Sequence, residues 1–531
     1  MGVLVQTVVL LVAATFVFGS PFVNDLQPGQ EWPERSSVKQ PSDPVPGEPE
    51  ELITKELLQN GDNTGENIVV VEAEKELQKD VEESTSDVEN GSVVESETAA
   101  TKAAEDKNKI SQKVVESEAT VIKAADEKDE ISQKVDYTGA QVWKVSANKT
   151  GSRVVLSRLR RKNLISPWGS NGTVIDVLVK PNAIGNVTQI LKRENIPFTV
   201  SIENLQKMID EENPPLDENE AELQDRRGHR MNWKQYHRLE DIYGFMDYLA
   251  KTYPAIVSVK SIGASYEGRD LKVLRISNGK STNKAVFIDG GIHAREWISP
   301  ATVTYFINQF AENFDVESDD IKNIDWYFLP VVNPDGYEFT HVGDRLWRKN
   351  RRIPFTGRAC SGTDLNRNFG YRWGGKGTSN NPCSDIYRGT KAFSEPETKA
   401  LSDFITNSGA NFTAYLTYHS YGQYLLYPWG YDNVVPPDYK DLNAVGNRMA
   451  EAIKSTSGYQ YQVGSSSKLL YPASGGSDDW AKAKGIKYAY TVELSDTGRY
   501  GFVLPTTFIE PVAKGSLAGV RVLAKQINKE Y

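Results

Sequence analysis

Five histidines occur in 531 residues, and two of them stand in a metal-binding pattern: His293-Ala294-Arg295-Glu296 after one strand-like run, and His419-Ser420-Tyr421 at the end of another. Two neutral imidazoles and one carboxylate suit Zn²⁺ and leave its fourth tetrahedral position open for water. An open position is what metal-assisted hydrolysis needs, so the pattern reads as a metallohydrolase centre. His-x-x-Glu alone is a short motif, and its bland counterpart is a surface histidine three residues from an acid. The residues around it have to carry the argument.

Those residues need elements to position them. From Met231 to Tyr531 the chain alternates helix-period with strand-period segments. The spacing predicts helices over Leu239–Thr252, Ser299–Phe314, Glu395–Asn407, Asp441–Ser455 and Thr507–Lys529. Apolar strand-like runs lie at Ala285–Asp289, Ile324–Val332, Thr413–His419 and Lys487–Leu494. Continuous apolar strands between helices imply an α/β fold, a twisted sheet covered by helices on both faces. In such sheets ligands bind at the carboxyl ends of strands, which is where both histidine motifs fall.

Upstream, Gln141–Val145 and Val174–Val179 read as strands, and Asn186–Glu194 and Ile202–Glu212 as helices, making a small α/β unit. A polar, acidic run leads from it to Arg226-Arg227-Gly228-His229-Arg230. Basic clusters in accessible sequence are cut by trypsin-like proteases, so this reads as an activation site; the alternative is a charged linker. Four regions are expected: a signal peptide (1–20), an acidic extension (21–135), an activation domain with its linker (136–230) and a catalytic domain (231–531).

The first twenty residues form an apolar run closing on small residues, shorter than a comfortable membrane span, which implies a secreted, extracellular protein. They lack a basic start, so an uncleaved anchor is the alternative reading. Asn-x-Ser/Thr sequons at Asn90, Asn148, Asn171, Asn186 and Asn411 fit that route. In an oxidising compartment Cys360 and Cys383, the two cysteines of the chain, are expected to pair. Between Pro21 and Val135 the chain holds 28 Asp and Glu against 12 Lys and Arg, with Phe22 and Trp32 as its aromatics. Such a composition cannot bury enough apolar surface to offset chain entropy, so disorder is expected there. Two 21-residue copies, 94–114 and 115–135, lie within it, and three heptads per copy would also suit a transient amphipathic helix.

The motifs together carry a resemblance. Gly290–Trp297, Asn333–Tyr337, Arg345–Lys349, Asp364–Asn368, Tyr418–Tyr421, Tyr471–Trp480 and Val492–Tyr500 resemble, in order and separation, the zinc metallocarboxypeptidases of the pancreatic A/B type. Residues 136–225 look like the family's activation peptide, a small open-sandwich domain that caps the active site of a zymogen. The acidic extension has no counterpart in that resemblance. Carried over position by position, it implies one zinc ion held by His293, Glu296 and His419, with Asp364 accepting the second ring N–H of His293. Glu493 would be the general base and Arg348 the oxyanion donor. Arg367, with Asn366 and Tyr471, would bind the substrate's terminal carboxylate, since a guanidinium meets it with two parallel hydrogen bonds. Arg295 and Tyr421 would contact upstream substrate residues.

Members of the family that remove Lys or Arg carry Asp at the position of Asp478, and Gly430 and Ser466 leave room there for a long side chain. A buried carboxylate facing an apolar side chain would be costly, so the implied preference is B-like, basic C-terminal residues, with A-like release of aromatic or aliphatic residues as the alternative. Adjacent Asp479 would exchange roles with Asp478 if the alignment slipped by one place. Expected partners are peptide C-termini and an activating trypsin-like protease; no nucleic acid, no stable membrane span and a monomer are expected. Two other classes compete: an inactive relative that binds zinc or peptides, and an adhesion protein whose working part is the repeat region. The presence of Glu493, Arg367, Tyr471 and Arg348 speaks against the first.

Overall fold

The computed structural model describes residues 134–170, 172–225, 228–354 and 360–531. The expected signal peptide, the acidic repeats as far as residue 133, Asn90, Asn171, Arg226 and Arg227 lie outside the described residues.

Residues 141–212 build a four-stranded antiparallel sheet from β1 (Gln141–Ser146), β2 (Ile165–Ser170), β3 (Val174–Val179) and β4 (Phe198–Ile202), in the order β2-β3-β1-β4. Alternation divides its side chains. Trp143, Val145, Val177 and Val179 pack under the helices Ser152–Arg161 and Ile184–Arg193, while Val142 and Leu178 join Trp168, Leu346, Phe502 and Val503 on the other face. The second face is thus apolar because it rests on the rest of the chain. The helix expected from Ile202 starts at Leu205, because Ile202 ends β4 and the Asn204 side chain caps the helix by accepting from Lys207 N at 3.1 Å.

A fully buried ion pair ties the two parts together. Arg345 donates to both carboxylate oxygens of Glu212, at 2.7 and 2.5 Å, and lies 3.7 Å over the Trp297 ring. Their side chains are 2% and 1% exposed. Removing one partner would leave the other charge buried and uncompensated, a cost of about 3–5 kcal/mol. Arg345→Leu is therefore expected to loosen the interface, measured as faster release of the cleaved 141–212 segment on size-exclusion chromatography. Unchanged retention would show that the pair contributes nothing to docking.

The second sheet has eight strands: β5 (Val257–Ala264), β6 (Asp270–Ile276), β7 (Lys284–Asp289), β8 (Ile324–Leu329), β9 (Phe412–Ser420), β10 (Tyr424–Tyr427), β11 (Gln462–Ser465) and β12 (Tyr488–Leu494). Their order is β11-β10-β12-β9-β7-β8-β6-β5. β12, β9, β7 and β8 run parallel, and antiparallel pairs flank them, so the sheet is mixed. Val286 and Ile288 point to a core under the helices Leu239–Thr252, Ile298–Glu312, Tyr439–Ser457 and Ile509–Glu530. Phe287 and Tyr415 point to the opposite core, with Leu401, Ile405 and Trp480. Helices cover both faces, as the uninterrupted apolar strands imply. β5 escaped the sequence reading because it is an edge strand, half solvated, with no continuous apolar run. Cys360 and Cys383 form a disulfide.

Candidate metal centre and substrate cleft

β7 is followed in the chain by β8 on one side and β9 on the other, so the parallel order reverses between β7 and β9. That crevice is where open α/β sheets accept ligands. Past Asp289 the chain turns through Gly291, whose φ of 61° is favourable only for glycine, and a Cβ there would stand 3.0 Å from Pro300 Cγ and 3.3 Å from the Pro330 carbonyl. The turn lifts His293 and Glu296 above the strand ends. Ser299 Oγ then accepts from Gly291 N at 2.9 Å and donates to the Tyr418 carbonyl at 2.7 Å, fastening this loop to the end of β9, where His419 stands.

The three side chains converge. His293 Nδ1 lies 2.9 Å from Glu296 Oε1 and 3.1 Å from His419 Nδ1, and His419 Nδ1 lies 3.2 Å from Glu296 Oε2. Zinc at about 2.0–2.1 Å from each nitrogen sets tetrahedral ligand atoms about 3.3 Å apart, so this spacing fits the ion. All three are buried and form the one cluster among the described residues able to hold a metal. Two imidazoles and one carboxylate converging in a buried site are the donor set that zinc takes. Charge is arranged to match: burial and the Arg348 guanidinium hold the His293 ring below its ordinary pKa, favouring the neutral ligand form. Burial opposes ionisation of Glu296, yet His293 and His419 hold its carboxyl well below the usual carboxylate range.

The remaining expected residues surround this cluster. Asp364 Oδ1 is 3.1 Å from His293 Nε2, and its other oxygen accepts from Arg348 Nη2 at 2.8 Å. Although fully buried, the Asp364 carboxyl is held well below its ordinary value by Arg348, Arg367 and His293. Arg348 also reaches within 3.9 Å of Glu296. Arg367 donates to the backbone carbonyls of Asn366 and Gly377 at 2.8 and 3.0 Å, and Asn366 Oδ1 accepts from Ser477 N at 2.9 Å. Glu493 stands opposite His419 in the β12–β9 register, half-buried, with its carboxyl pushed up to about 7 by burial against the pull of His419. Arg295 is buried and lies 4.1 Å over the Phe502 ring; Tyr421 donates from its hydroxyl to Asp176 Oδ2, on β3, at 2.6 Å. Tyr471 is the residue held apart, 49% exposed on the segment before Ser474.

Two adjacent carboxylates divide their work. Asp479 accepts from the backbone N–H groups of Gly430 and Tyr431 at 2.7 and 2.9 Å, whereas Asp478 is hydrogen-bonded by Thr491 and by backbone at the start of its own helix, with Ser466 Oγ 3.5 Å away. Asp478 is 6% exposed, and burial raises its pKa.

Sequence reasoning missed Asp289, Tyr415 and Thr417. Tyr415 and Thr417 donate to the two oxygens of Asp289 at 2.5 and 2.7 Å, directly beneath His419. A lone acid closing the apolar run Ala285–Asp289 was the available signal.

A helix-covered mixed sheet with a His-Glu-His cluster at its strand ends defines a zinc hydrolase of the α/β class. The family described as zinc carboxypeptidase matches residues 242–519, and that described as carboxypeptidase activation peptide matches residues 143–212. Carboxypeptidase B of Astacus astacus is 45% identical over 302 residues, 57% of this chain and 100% of that protein. Carboxypeptidase A1 of Bos taurus is 41% identical over 367 residues, 68% of this chain and 87% of that protein. Among solved structures, thrombin activatable fibrinolysis inhibitor superposes with a TM-score of 0.68 at 35% identity, covering 74% of this chain and 100% of the other. Carboxypeptidase A from Helicoverpa armigera superposes with a TM-score of 0.65 at 32% identity, covering 74% and 98%. The chain belongs to the zinc carboxypeptidase family, and it is a zinc-dependent metallocarboxypeptidase that carries its own activation peptide.

Proposed function

We propose that the chain is the secreted, monomeric zymogen of an exopeptidase that releases single C-terminal Lys or Arg residues. A trypsin-like protease activates it within Arg226–Arg230, separating regions bounded near residues 136 and 231. The observation that carries the specificity is the buried Asp478 carboxylate, facing Ser466 while neighbouring Asp479 is committed to backbone N–H groups. That division of labour supports Asp478, not Asp479, as the pocket carboxylate. The A-type alternative draws on the 41% identity with carboxypeptidase A1. Secretion is supported by the apolar first twenty residues and the sequons, and no described helix is long and apolar enough to cross a membrane.

Bound by His293, Glu296 and His419, zinc supplies Lewis acidity to a water molecule and to the scissile carbonyl. The chain's own residues do the rest. Glu493 takes the water's proton on its carboxylate and hands it to the leaving amine. Arg348, held by Asp364, presents fixed N–H donors to the developing oxyanion. Arg367, braced by backbone carbonyls, meets the substrate's terminal carboxylate, with Asn366 beside it and exposed Tyr471 free to close over it. In the zymogen, Asp176 takes the hydroxyl of Tyr421 and the sheet carrying it packs on Phe502, over whose ring Arg295 lies, blocking the upstream subsites.

Trypsin-treated full-length protein with zinc tests this on peptides ending in Lys, Arg or Phe. Release of Lys and Arg is expected; release of Phe alone would establish the A-type reading, and release of none would overturn both. The Glu493 carboxyl is protonated, and useless as a base, below its pKa, which lies near 7 before the metal's positive charge draws it lower. Thus kcat/KM should fall as pH drops through an acid limb below 7. A profile flat from about pH 5 to 8 would count against Glu493 as the base.

A further inference from the structure

We propose that Thr417 and Asp289 are positioning residues for the zinc ligand His419: a hydroxyl relay that fixes its tautomer and ring orientation, as Asp364 does directly for His293. The inference rests on the reading of His419 as a metal ligand.

The argument is one of counting donors and acceptors. His419 Nδ1 faces His293 Nδ1 and Glu296 Oε2 at 3.1 and 3.2 Å, so this is the nitrogen that must be unprotonated to hold a metal. The ring proton then belongs on Nε2, and a buried N–H requires an acceptor. Among the described residues two polar groups stand within reach, Thr417 Oγ1 at 3.3 Å and Asn366 Nδ2 at 3.5 Å. The Asn366 amide is oriented by Ser477 N, which donates to its Oδ1 at 2.9 Å, so the atom turned toward His419 is the NH₂ donor. It cannot accept. Thr417 Oγ1 can, because its single hydrogen is already placed: the carboxylate of Asp289 accepts it at 2.7 Å. The lone pairs of the hydroxyl are thereby turned to Nε2–H.

Asp289 is itself held from the other side, with Tyr415 donating to its second oxygen at 2.5 Å. Asp289 and Thr417 are both completely buried, so water cannot replace either partner. The elements enforce this placement. Asp289 ends β7 and pairs with Thr417 in the parallel β7–β9 register, and two residues along β9 from Thr417, on the same strand face, comes His419. The two imidazoles are therefore supported differently: His293 by a carboxylate in direct contact, His419 by a carboxylate acting through a hydroxyl.

Losing such a supporting partner costs about 10–100-fold in metal affinity. Zinc dissociation from the uncleaved full-length protein, measured with a chelating indicator, is a readout independent of turnover. Thr417→Val, nearly the same shape without the hydroxyl, is expected to weaken zinc by that factor, and Thr417→Ser is expected to restore it. Asp289→Asn, which keeps the shape but can accept from only one of its two donors, should fall between. The unfolding midpoint of each metal-free variant separates loss of the relay from loss of the fold. Wild-type zinc affinity in Thr417→Val would overturn the inference, as would equal loss in the Ser and Val variants. If His293→Ala and His419→Ala also kept wild-type affinity, the metal-site reading itself would fall, a result distinct from failure of the relay.

Discussion

Replacing Glu493 by Gln is expected to lower kcat on a peptide ending in Arg by about 10²–10⁴-fold, the contribution commonly made by a positioned general base, while zinc stays bound. The substitution keeps the side chain's volume and removes only its capacity to take a proton. Glu493 lies on β12 directly across from His419 on β9, so strand register and not a mobile loop sets it on the same face as that ligand. Because the role belongs to the chemical step, the loss should appear in kcat with KM little changed. A fall of less than tenfold, or a loss confined to KM, would remove Glu493 from the base's position. Measuring zinc content alongside separates loss of the base from loss of the metal.

Asp478→Ile is the second large effect. It should cut kcat/KM for peptides ending in Lys or Arg and raise it for those ending in Phe. A substrate cation entering a buried pocket without its carboxylate would stand uncompensated, a cost of about 3–5 kcal/mol, or roughly 10²–10³-fold. Asp478 is 6% exposed and burial already raises its pKa, so a substrate cation beside it would favour its ionised form. Asp479→Ile should behave otherwise, because Asp479 holds Gly430 N and Tyr431 N and its loss would disturb the pocket wall for every substrate. Unchanged release of Arg by the Asp478 variant would sink the pocket assignment.

Much of this centre was legible before any coordinates. His293, Glu296 and His419 sit in compact motifs at the ends of apolar strands, and both the strand period and the ligand chemistry are local properties of sequence. The helix Leu239–Thr252 was read with its observed ends, because its apolar spacing is regular. Other elements were not legible. β5 is a half-solvated edge strand, and the helix Ser152–Arg161 buries only three apolar residues, Val155, Leu156 and Leu159, among its arginines. Neither pattern, even with Ser152 also buried in that helix, separates strand or helix from loop without knowing what each face will touch.

Residue types and their spacing by themselves pointed to the His-Glu-His ligand set and the α/β class, because donor chemistry and apolar periodicity are local properties of sequence, whereas the proposed clamp, base and oxyanion donor entered only through the resemblance of the surrounding motifs. Tertiary structure alone decided three things. It set Asp478 and Asp479 in different surroundings, since only the fold hands Asp479 to the N–H groups of Gly430 and Tyr431 and leaves Asp478 beside Thr491 and Ser466. It brought Glu212 to Arg345, 133 residues apart, and Asp176 to Tyr421, 245 residues apart. And it set Asp289 beside Thr417 through the β7–β9 register. Such pairings are written in no local pattern; they arise when strands and domains far apart in the chain bury their apolar faces together, and a polar group caught between those faces must find its partner there.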